Sequence, residues 1–315
     1  MSTTVEPSVR NIAAMKNTMV KQTNEEAFKH HYDFFEYYYD KEIQDSEDCV
    51  LGCEQDKQYP NYFYMRISGT ESVFHTFEKT YTAFDYLLNN EDKFKKYDAF
   101  IRINISCYLN MKLLDTVLDL LNKDTVYSNA LNTVEGYGTP YFNKLYFRGD
   151  FYIMFHENLE GMMKEAKRFL YCDRDLSPAR PNIVHVDDVL FGCAFIAYKG
   201  ADYFKHLQML KYNFLPMTSA PAHMDLLRAS INKFAIASRV KTVPSGLPSG
   251  YSWDDTEWRK HDPLKIEFVH NAVQENDYSK IVLDDIVVSP LEERPTVYFN
   301  VLHFKPHEFA NLPTI

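Results

Sequence analysis

Glycine, basic charge and long apolar segments are all scarce in this chain. Only 10 of its 315 residues are glycine, and neither an internal repeat nor a low-complexity tract is present, which excludes a repeat architecture. The formal net charge of −10 leaves no general basic field that would hold nucleic acid by counterion release, although a local basic groove stays open. Residues 1–19 contain no apolar run of signal-peptide length, and no window approaches the length that spans a bilayer. The sequence therefore predicts a soluble, cytoplasmic protein without a membrane span.

Cysteine is also sparse, and its spacing points to no metal site. The chain has five cysteines, an odd number, without a paired C-x-x-C spacing. We therefore expect free thiols in a reducing cytosol. The cysteines are Cys49, Cys53, Cys107, Cys172 and Cys193.

The aromatic content is high, with 23 tyrosines and 23 phenylalanines in a chain that is 45% hydrophobic. Aromatic side chains with polar edges suit stacking on sugars or bases, and they are equally the ordinary filling of a large core. The length fits one large α/β domain with appendages or two domains.

Strand patterns alternate with helical patterns over residues 10–200, which indicates an α/β layer architecture. Beyond residue 200 the pattern is less regular. Apolar spacing and capping residues predict helices at 9–29, 70–90, 111–121, 158–170 and 226–241. Runs of β-preferring residues predict strands at 31–39, 62–67, 97–110, 125–131, on either side of Gly149, and at 296–304.

The stretch 97–110 carries the first functional signal. Its apolar residues end in small polar groups just before the predicted helix 111–121. In open α/β sheets, ligands bind beyond the carboxyl ends of the strands. The alternative interpretation is a buried strand capped by a polar turn.

A second signal lies at residues 185–192, where a short apolar run meets the paired carboxylates Asp187 and Asp188 at a predicted helix start. Either carboxylate fits a helix N-cap, which is a common role for Asp. His185 lies beside them and is suited either to orienting a carboxylate or to a structural role.

Taken together, these stretches resemble nucleotide-sugar glycosyltransferases of the GT-A type, particularly Fringe-like and β-1,3-galactosyltransferase-like enzymes and their relatives in viruses and phages. The resemblance covers roughly residues 9–198 and, less closely, the last twenty. It implies a Rossmann-like mixed central sheet flanked by helices, with a less regular C-terminal extension. By this resemblance residues 1–8 form a flexible N-terminus, 9–198 the donor-binding and catalytic core, 199–295 acceptor-side helices and loops, and 296–315 a strand and tail closing on the donor site.

The resemblance assigns the stretch 97–110 to the family's aspartate-x-aspartate element, which holds a divalent metal on the donor diphosphate. Asn104 and Ser106 stand where that element has its carboxylates. Neutral amide and hydroxyl oxygens are poor substitutes for the carboxylates that Mg²⁺ or Mn²⁺ normally requires. Lys79 corresponds to a lysine on the helix that runs beneath the nucleotide in the family.

The replacement of the two carboxylates by Asn104 and Ser106 has three possible interpretations. The enzyme is metal-independent, with Arg102, Lys79 or Lys305 neutralising the diphosphate by charge-assisted hydrogen bonds. Alternatively, it binds metal weakly through other ligands, with His303 on the last predicted strand as the candidate. In the third interpretation, activity is lost and the protein only binds.

The same resemblance assigns the remaining site residues. Gly149 and Asp150 lie in a segment that resembles the family's glycine-centred turn at the sugar pocket, although a glycine between strands also fits a bulge. Residues 185–192 resemble the family's acidic-Asp-Val element. That match makes Asp188 the general base, gives Asp187 a part in shaping the pocket or binding the donor sugar, and places His185 at the sugar pocket.

The implied function is inverting transfer of a sugar from a nucleoside diphosphate donor, a UDP-sugar, to a hydroxyl acceptor. The acceptor is a glycan, a lipid-linked sugar, a protein or a hydroxymethylated base in phage or viral DNA. A different class of function is a non-catalytic carbohydrate- or nucleotide-binding module on a degenerate transferase scaffold. The DNA alternative relies on the basic stretch 226–241 with the nearby residues Trp253, Trp258, Arg259, Lys260 and Lys265.

Overall fold

The structure is a computed structural model that describes most of the first two thirds of the chain. The described residues are 6–40, 50–69, 76–94, 96–128, 131–133, 145–147, 151–171, 187–209, 212–214, 236–239 and 262–275. None of the helices among these residues is both long and apolar enough to cross a membrane.

The described residues form a mixed α/β structure, with parallel and antiparallel strands flanked by helices. The helices are α1 (Glu6–Met15), α2 (Lys21–Glu25), α3 (Thr76–Asn89), α4 (Glu91–Phe94), α5 (Met111–Val117), α6 (His156–Ala166), α7 (Asp187–Lys199) and α8 (Asp262–Glu275). The strands are β1 (Phe34–Asp40), β2 (Val50–Gln55), β3 (Tyr62–Ser68), β4 (Ala99–Ile103), β5 (Cys107–Leu109), β6 (Val126–Ser128), β7 (Leu131–Thr133), β8 (Leu145–Phe147), β9 (Phe151–Phe155), β10 (Leu207–Met209), β11 (Tyr212–Phe214) and β12 (Ala237–Arg239). A π-helical segment, Lys16–Val20, joins α1 to α2, and short 3-10 helices occupy Leu118–Leu120, Lys167–Tyr171 and Gly200–His206.

The chain divides into two compact units. Unit 1 comprises Met1–Ser2, Tyr32–Ile103 and Leu121–Met209, and unit 2 comprises Thr3–His31, Asn104–Leu120 and Leu210–Ile315. These units cut the chain at other places than the boundary at residue 198 that the resemblance implies, and that boundary stays a prediction.

Unit 1 contains two larger sheets and a hairpin. Sheet A has the order β1-β3-β2, with β1 parallel and β2 antiparallel to β3. Sheet B has the order β10-β6-β9-β4, and β7 pairs with β8 in the hairpin. The strands of the described residues thus form separate sheets rather than the single central sheet that the resemblance implies, while the broader prediction of an α/β architecture is confirmed.

The core of unit 1 is largely aromatic. Helix α3 buries Phe77 and Phe84, which lie on one face because they are seven residues, close to two helical turns, apart. Both contact Phe191 of α7, with ring centroids 4.8 Å and 6.0 Å away. Phe100 of β4 also packs edge-on against Phe84. These ring contacts join α3 to α7 and to β4 of sheet B.

Unit 2 contains a three-stranded sheet with the order β11-β12-β5. Helix α5 begins where the side chain of Asn110 accepts a hydrogen bond from the backbone N–H of Leu113, which satisfies one of the free donors of the first turn. The segment before β1 is tied to α5 by His30, whose ring nitrogens lie 2.9 Å and 3.0 Å from carboxylate oxygens of Asp115 and Asp119.

Several predicted elements are confirmed, among them β3, α3 over its described residues, α6 and the helix that begins at Asp187. The single strand predicted at 97–110 is wrong. The chain forms β4 and β5 in two different sheets, separated by a turn at 104–106 in which the N–H of Cys107 donates to the carbonyl of Asn104. The Asn104 side chain stabilises this turn because its oxygen accepts hydrogen bonds that a continuous strand would not supply.

Two other elements differ from the sequence prediction. Strand β2 has no strong sequence signal, since its sequence includes Gly52 and lacks a regular alternation. Residues 237–239, within the predicted helix 226–241, form β12, which pairs with β5 and β11. Pairing with distant strands overrides the local helical pattern there. Residues 226–235, 240 and 241 of that predicted helix, the glycine-centred turn at 149 and the predicted strand 296–304 lie outside the described residues.

Candidate active site at the carboxyl edge of sheet B

Three strands of sheet B end at the same edge. Strands β4 and β6 both run antiparallel to β9, and β10 runs parallel to β6. The carboxyl ends of β4, β6 and β10 therefore lie on the edge at which β9 begins. This edge corresponds to the region where α/β sheets bind ligands, because strand ends and helix starts converge there.

A row of polar side chains crosses the sheet at this edge. Arg102 of β4 is paired in register with Tyr152 of β9, and Tyr152 is paired with Ser128 of β6. Directly opposed residues on neighbouring strands project to the same face of a sheet. We call Ser128, Tyr152 and Arg102 the polar row.

The polar row lies on the core-facing side of the sheet. Phe100 and Met154, two residues along from Arg102 and Tyr152, belong to the buried core. Tyr152 is 1% exposed and its ring packs against Phe147 with centroids 5.0 Å apart. Ser128 is fully buried, and its hydroxyl donates to the carbonyl of Phe151 over 3.2 Å. The row therefore brings polar groups into surroundings that are otherwise apolar.

Asp187 completes this group. The Nη2 of Arg102 donates a hydrogen bond to the Oδ2 of Asp187, and the two side chains are only 14% and 12% exposed. A charge this far from solvent is costly unless it is paired, and this contact pairs the two opposite charges. The contact connects the end of β4 to the first residue of α7.

Helix α7 is held in place by a buried apolar face. Leu190, Phe191, Ala194 and Phe195 are all buried in the core of unit 1. Because the helix N-terminus carries a partial positive charge, a carboxylate at its first residue is favourable. Asp187 thus interacts with the dipole of its own helix as well as with Arg102.

The structure brings two predicted site residues, Arg102 and Asp187, into direct contact. Asp188 is the next residue of α7, and the structure describes its backbone. Tyr152 lies two residues after Asp150 in the chain. The predicted residues Gly149, Asp150, His185, His303 and Lys305 lie outside the described residues.

Asn104 and Ser106 belong to unit 2 and interact with each other. The Oδ1 of Asn104 accepts from the backbone N–H of Ser106 over 3.2 Å and from its hydroxyl over 2.9 Å, and Ser106 is fully buried. Their side chains stabilise a turn and do not form a pair of oxygens directed at a shared ion, so these two residues do not fit a metal site. Across the described stretches, no group of three or more His, Cys, Asp or Glu side chains is arranged to hold a metal ion.

Lys79 has an aromatic neighbour. Its side chain is 4% exposed on α3, and its ammonium nitrogen lies 5.4 Å from the ring centroid of Tyr39, near the carboxyl end of β1. This distance is within the range of a cation–π interaction. Contact between Lys79 and a nucleotide stays a prediction.

Cys53 is the most accessible of the described free cysteines, and it is unsuited to nucleophilic chemistry at neutral pH. Burial raises the pKa of its thiol to about 11, with Glu54 adding to the increase and Lys93 opposing it. Since the thiolate is the nucleophile, this thiol is almost entirely protonated at pH 7.

Sequence reasoning missed Tyr152 and Ser128. Tyr152 lies in the run Phe151–Phe155, which reads as an ordinary buried strand, and Ser128 ends a strand of three residues. Only the register of β4, β9 and β6 shows that the two residues line up with Arg102. A single polar residue within a strand or at its end carries no sequence signal that would mark it as part of a site.

No protein-family model and no curated protein matches this chain. The assignment of function therefore depends on the site and on the resemblance of its segments.

Proposed function

We propose that this protein transfers a sugar from a nucleoside diphosphate donor, a UDP-sugar, to a hydroxyl acceptor on a GT-A-like scaffold. The observation that carries the proposal is the Arg102–Asp187 contact at the carboxyl edge of sheet B. It joins two segments of the resemblance that are 85 residues apart in the chain. Arg102 also belongs to the buried polar row, and this row supports a site at the same edge.

In the proposed reaction, the acceptor oxygen attacks the anomeric carbon while the bond from that carbon to the diphosphate oxygen breaks, which inverts the configuration. The acceptor hydroxyl loses its proton to the Asp188 carboxylate, and the electron pair of the broken bond leaves with the diphosphate. General-base catalysis of this type contributes about 10²–10⁴-fold to a rate. Asp188 is the preferred base because the sequence element that it belongs to resembles the family's catalytic carboxylate.

The departing diphosphate requires positive charge, since electrostatic stabilisation is often the largest contribution to catalysis. We assign Lys305 to this role and retain Lys79 as a second candidate. We derive no step through a divalent metal, because Asn104 and Ser106 stabilise their own turn. We therefore propose a metal-independent reaction, with metal binding through other ligands, His303 being the candidate, as the alternative that the comparison of EDTA with Mn²⁺ tests.

The test is release of UDP from UDP-glucose, UDP-galactose and UDP-N-acetylglucosamine, each with EDTA or with Mn²⁺. We expect one donor to release UDP at similar rates in both conditions and to raise the melting temperature of the protein. Asp188→Asn should lower UDP release by at least about 100-fold and leave the donor-induced thermal shift in place.

Asp202→Asn is the matched control. Asp202 lies in unit 1 with a side chain that is 65% exposed, and it pairs with Lys205 at the surface. Its replacement should leave UDP release unchanged. Full activity in Asp188→Asn would move the base to another residue, first to Asp187, and a protein that neither binds nor cleaves any nucleotide sugar would exclude the proposed function.

A second candidate is a non-catalytic module that binds carbohydrates or nucleotides. The turn at Asn104 and Ser106 favours it, because the two side chains that replace the expected carboxylates bind each other. A thermal shift with a nucleotide sugar, combined with no UDP release under either condition, would identify the module. Acceptors, including hydroxymethylated DNA, are tested only after a donor is found.

A further inference from the structure

The Arg102–Asp187 pair is buried at a place where an ion pair contributes little to stability. Both side chains are mostly removed from solvent, and Arg102 projects from the core-facing side of sheet B. Two charges in such a place lose hydration that their attraction only partly restores. Apolar residues of similar volume are often as stabilising as a buried ion pair, or more so. Stability alone therefore does not account for this pair.

The pair does define the position of one helix start. Arg102 belongs to a strand whose register with β9 is continuous over five residue pairs. The sheet therefore fixes the positions of its Cα and Cβ atoms. Asp187 is the first residue of α7. A guanidinium offers donors in a rigid planar arrangement, which fixes the orientation of a bound carboxylate as well as its distance.

A fixed Asp187 also sets the rotation of the first helical turn. Successive residues of an α-helix are about 100° apart around its axis. Asp188 therefore occupies a different side of α7 from the position that is bound to Arg102. Holding the first position determines where the second one lies relative to the edge of sheet B.

We infer that Arg102 is a positioning residue: it fixes Asp187 and thereby the first turn of α7, on which Asp188 acts, and it does not bind the donor diphosphate. This inference rests on the proposed function, because it assigns Asp188 as the base. It also assigns different roles to the two neighbouring carboxylates: Asp187 fixes the orientation of the helix start, and Asp188 accepts the proton.

The test is a double-mutant cycle with Arg102→Leu, Asp187→Leu and the variant that carries both substitutions. Urea unfolding and steady-state UDP release are measured for each. Each single substitution removes one charge of the buried pair and leaves the other, so the unfolding midpoint should fall, and it should return to or above the wild-type value in the double variant. Turnover should not return, because the double variant restores stability without restoring geometry.

The kinetic constants distinguish positioning from donor binding. We expect kcat to fall ~100-fold in both single variants, and to fall no further in the double variant, because the two residues act as a unit. KM for the UDP-sugar should stay within about threefold of wild type, since ground-state donor binding is not lost. Losses in kcat that multiply in the double variant, or a large rise in KM with unchanged kcat in Arg102→Leu, would overturn the inference.

Milder variants cover the case in which a leucine variant does not fold. Arg102→Lys keeps the charge and loses the planar donor arrangement, whereas Asp187→Asn keeps one oxygen acceptor and the side-chain shape. We expect Asp187→Asn to recover a large part of kcat and Arg102→Lys to recover little. Recovery in Arg102→Lys without recovery in Asp187→Asn would mean that charge alone matters, which contradicts a positioning role.

The surface pair Arg168 and Glu165 is the control, with side chains 72% and 22% exposed. Leucine at both positions should change neither kcat nor KM. If wild-type protein releases no UDP from any donor, the proposed function fails, and the return of the unfolding midpoint in the double variant still tests the coupling of the pair. A midpoint that stays low in the double variant would reject that coupling independently of activity.

Discussion

The ammonium group of Lys79 lies above the ring of Tyr39, 5.4 Å from its centroid, and both side chains are buried in unit 1. A cation–π contact that is removed from solvent contributes up to about 2 kcal/mol. We therefore expect a double-mutant cycle of Lys79→Met and Tyr39→Leu to give a coupling free energy of about 1–2 kcal/mol in urea unfolding. Lys93 and Phe94 form the control pair, 5.1 Å apart with an exposed lysine, and should give a smaller coupling. Zero coupling between Lys79 and Tyr39 would contradict a stabilising contact.

Gly69 follows β3 with a φ of +136°, a conformation that is nearly confined to glycine. A Cβ at this position would also come within 2.5 Å of the Tyr39 ring. We expect Gly69→Ala to lower the free energy of unfolding by about 2–4 kcal/mol, from backbone strain and collision together.

Gly200 provides the matched control for Gly69. Its φ is +71° and a Cβ there would meet nothing within 4 Å. Gly200→Ala should cost only about 1 kcal/mol, which is the backbone penalty without a collision. Equal losses for the two substitutions in chemical denaturation would show that the contact with Tyr39 contributes nothing.

Asn11 is fully buried in α1, and neither polar atom of its side chain has a hydrogen-bond partner in the part of the chain that the structure describes. Burying an amide without compensating hydrogen bonds costs about 1–3 kcal/mol in proteins. Asn11→Leu, which is similar in size, should therefore raise the free energy of unfolding by about 1 kcal/mol or more.

Asn158 is the opposite case. It is also buried, at 2% exposure, but its Nδ2 donates to the carbonyl of Lys123 over 3.0 Å. Asn158→Leu should destabilise the protein by about 1–3 kcal/mol, because it leaves a carbonyl without its donor. If both leucine variants lose stability in thermal unfolding, the Asn11 side chain has a partner in solution.

His270 of α8 predicts a pH dependence of stability. Its Nδ1 lies 3.4 Å from the Tyr108 hydroxyl, and burial lowers the pKa of the imidazole. Lys112 and Lys21 act in the same direction, whereas Glu26 opposes them. In the unfolded chain His270 has its ordinary pKa, so the unfolded state binds the proton first as pH falls below about 6.5.

Stability should therefore decrease as pH falls through that range and be unaffected by His270 above about pH 7.5. In His270→Gln, the slope of unfolding free energy against pH between 5 and 6.5 should decrease by up to about 1.4 kcal/mol per pH unit. Urea unfolding of both proteins at several pH values measures this difference. An unchanged slope would mean that His270 gains its proton equally in the folded and unfolded states.

Local sequence patterns predict the helices and strands that depend mainly on their own residues. Apolar spacing predicts α3, which buries Phe77, Phe84 and Leu87. The carboxylates at the start of α7 also lie where the sequence placed a helix start. Local propensity failed at β12, whose strand pairing is made with β5, more than a hundred residues earlier.

The sequence predicts individual residues of the candidate site but not which of them contact each other. Arg102 and Asp187 were both named from the sequence, yet nothing local indicates that they bind each other across 85 residues. Tyr152 and Ser128 were missed because only strand register aligns them with Arg102. The location of Asn104 and Ser106 at a diphosphate stays a prediction, and the structure adds that their side chains hydrogen-bond to each other in a turn.

The sequence by itself determined the α/β character of the chain and the places where most of its helices and strands form, because periodicity and capping act over a few residues. The tertiary structure alone decided which strands pair, which residues meet at the carboxyl edge of sheet B, and that residues 97–110 divide between two sheets. Those outcomes depend on register and burial between distant segments, where a shift of one residue would move Arg102 to the other face of the sheet.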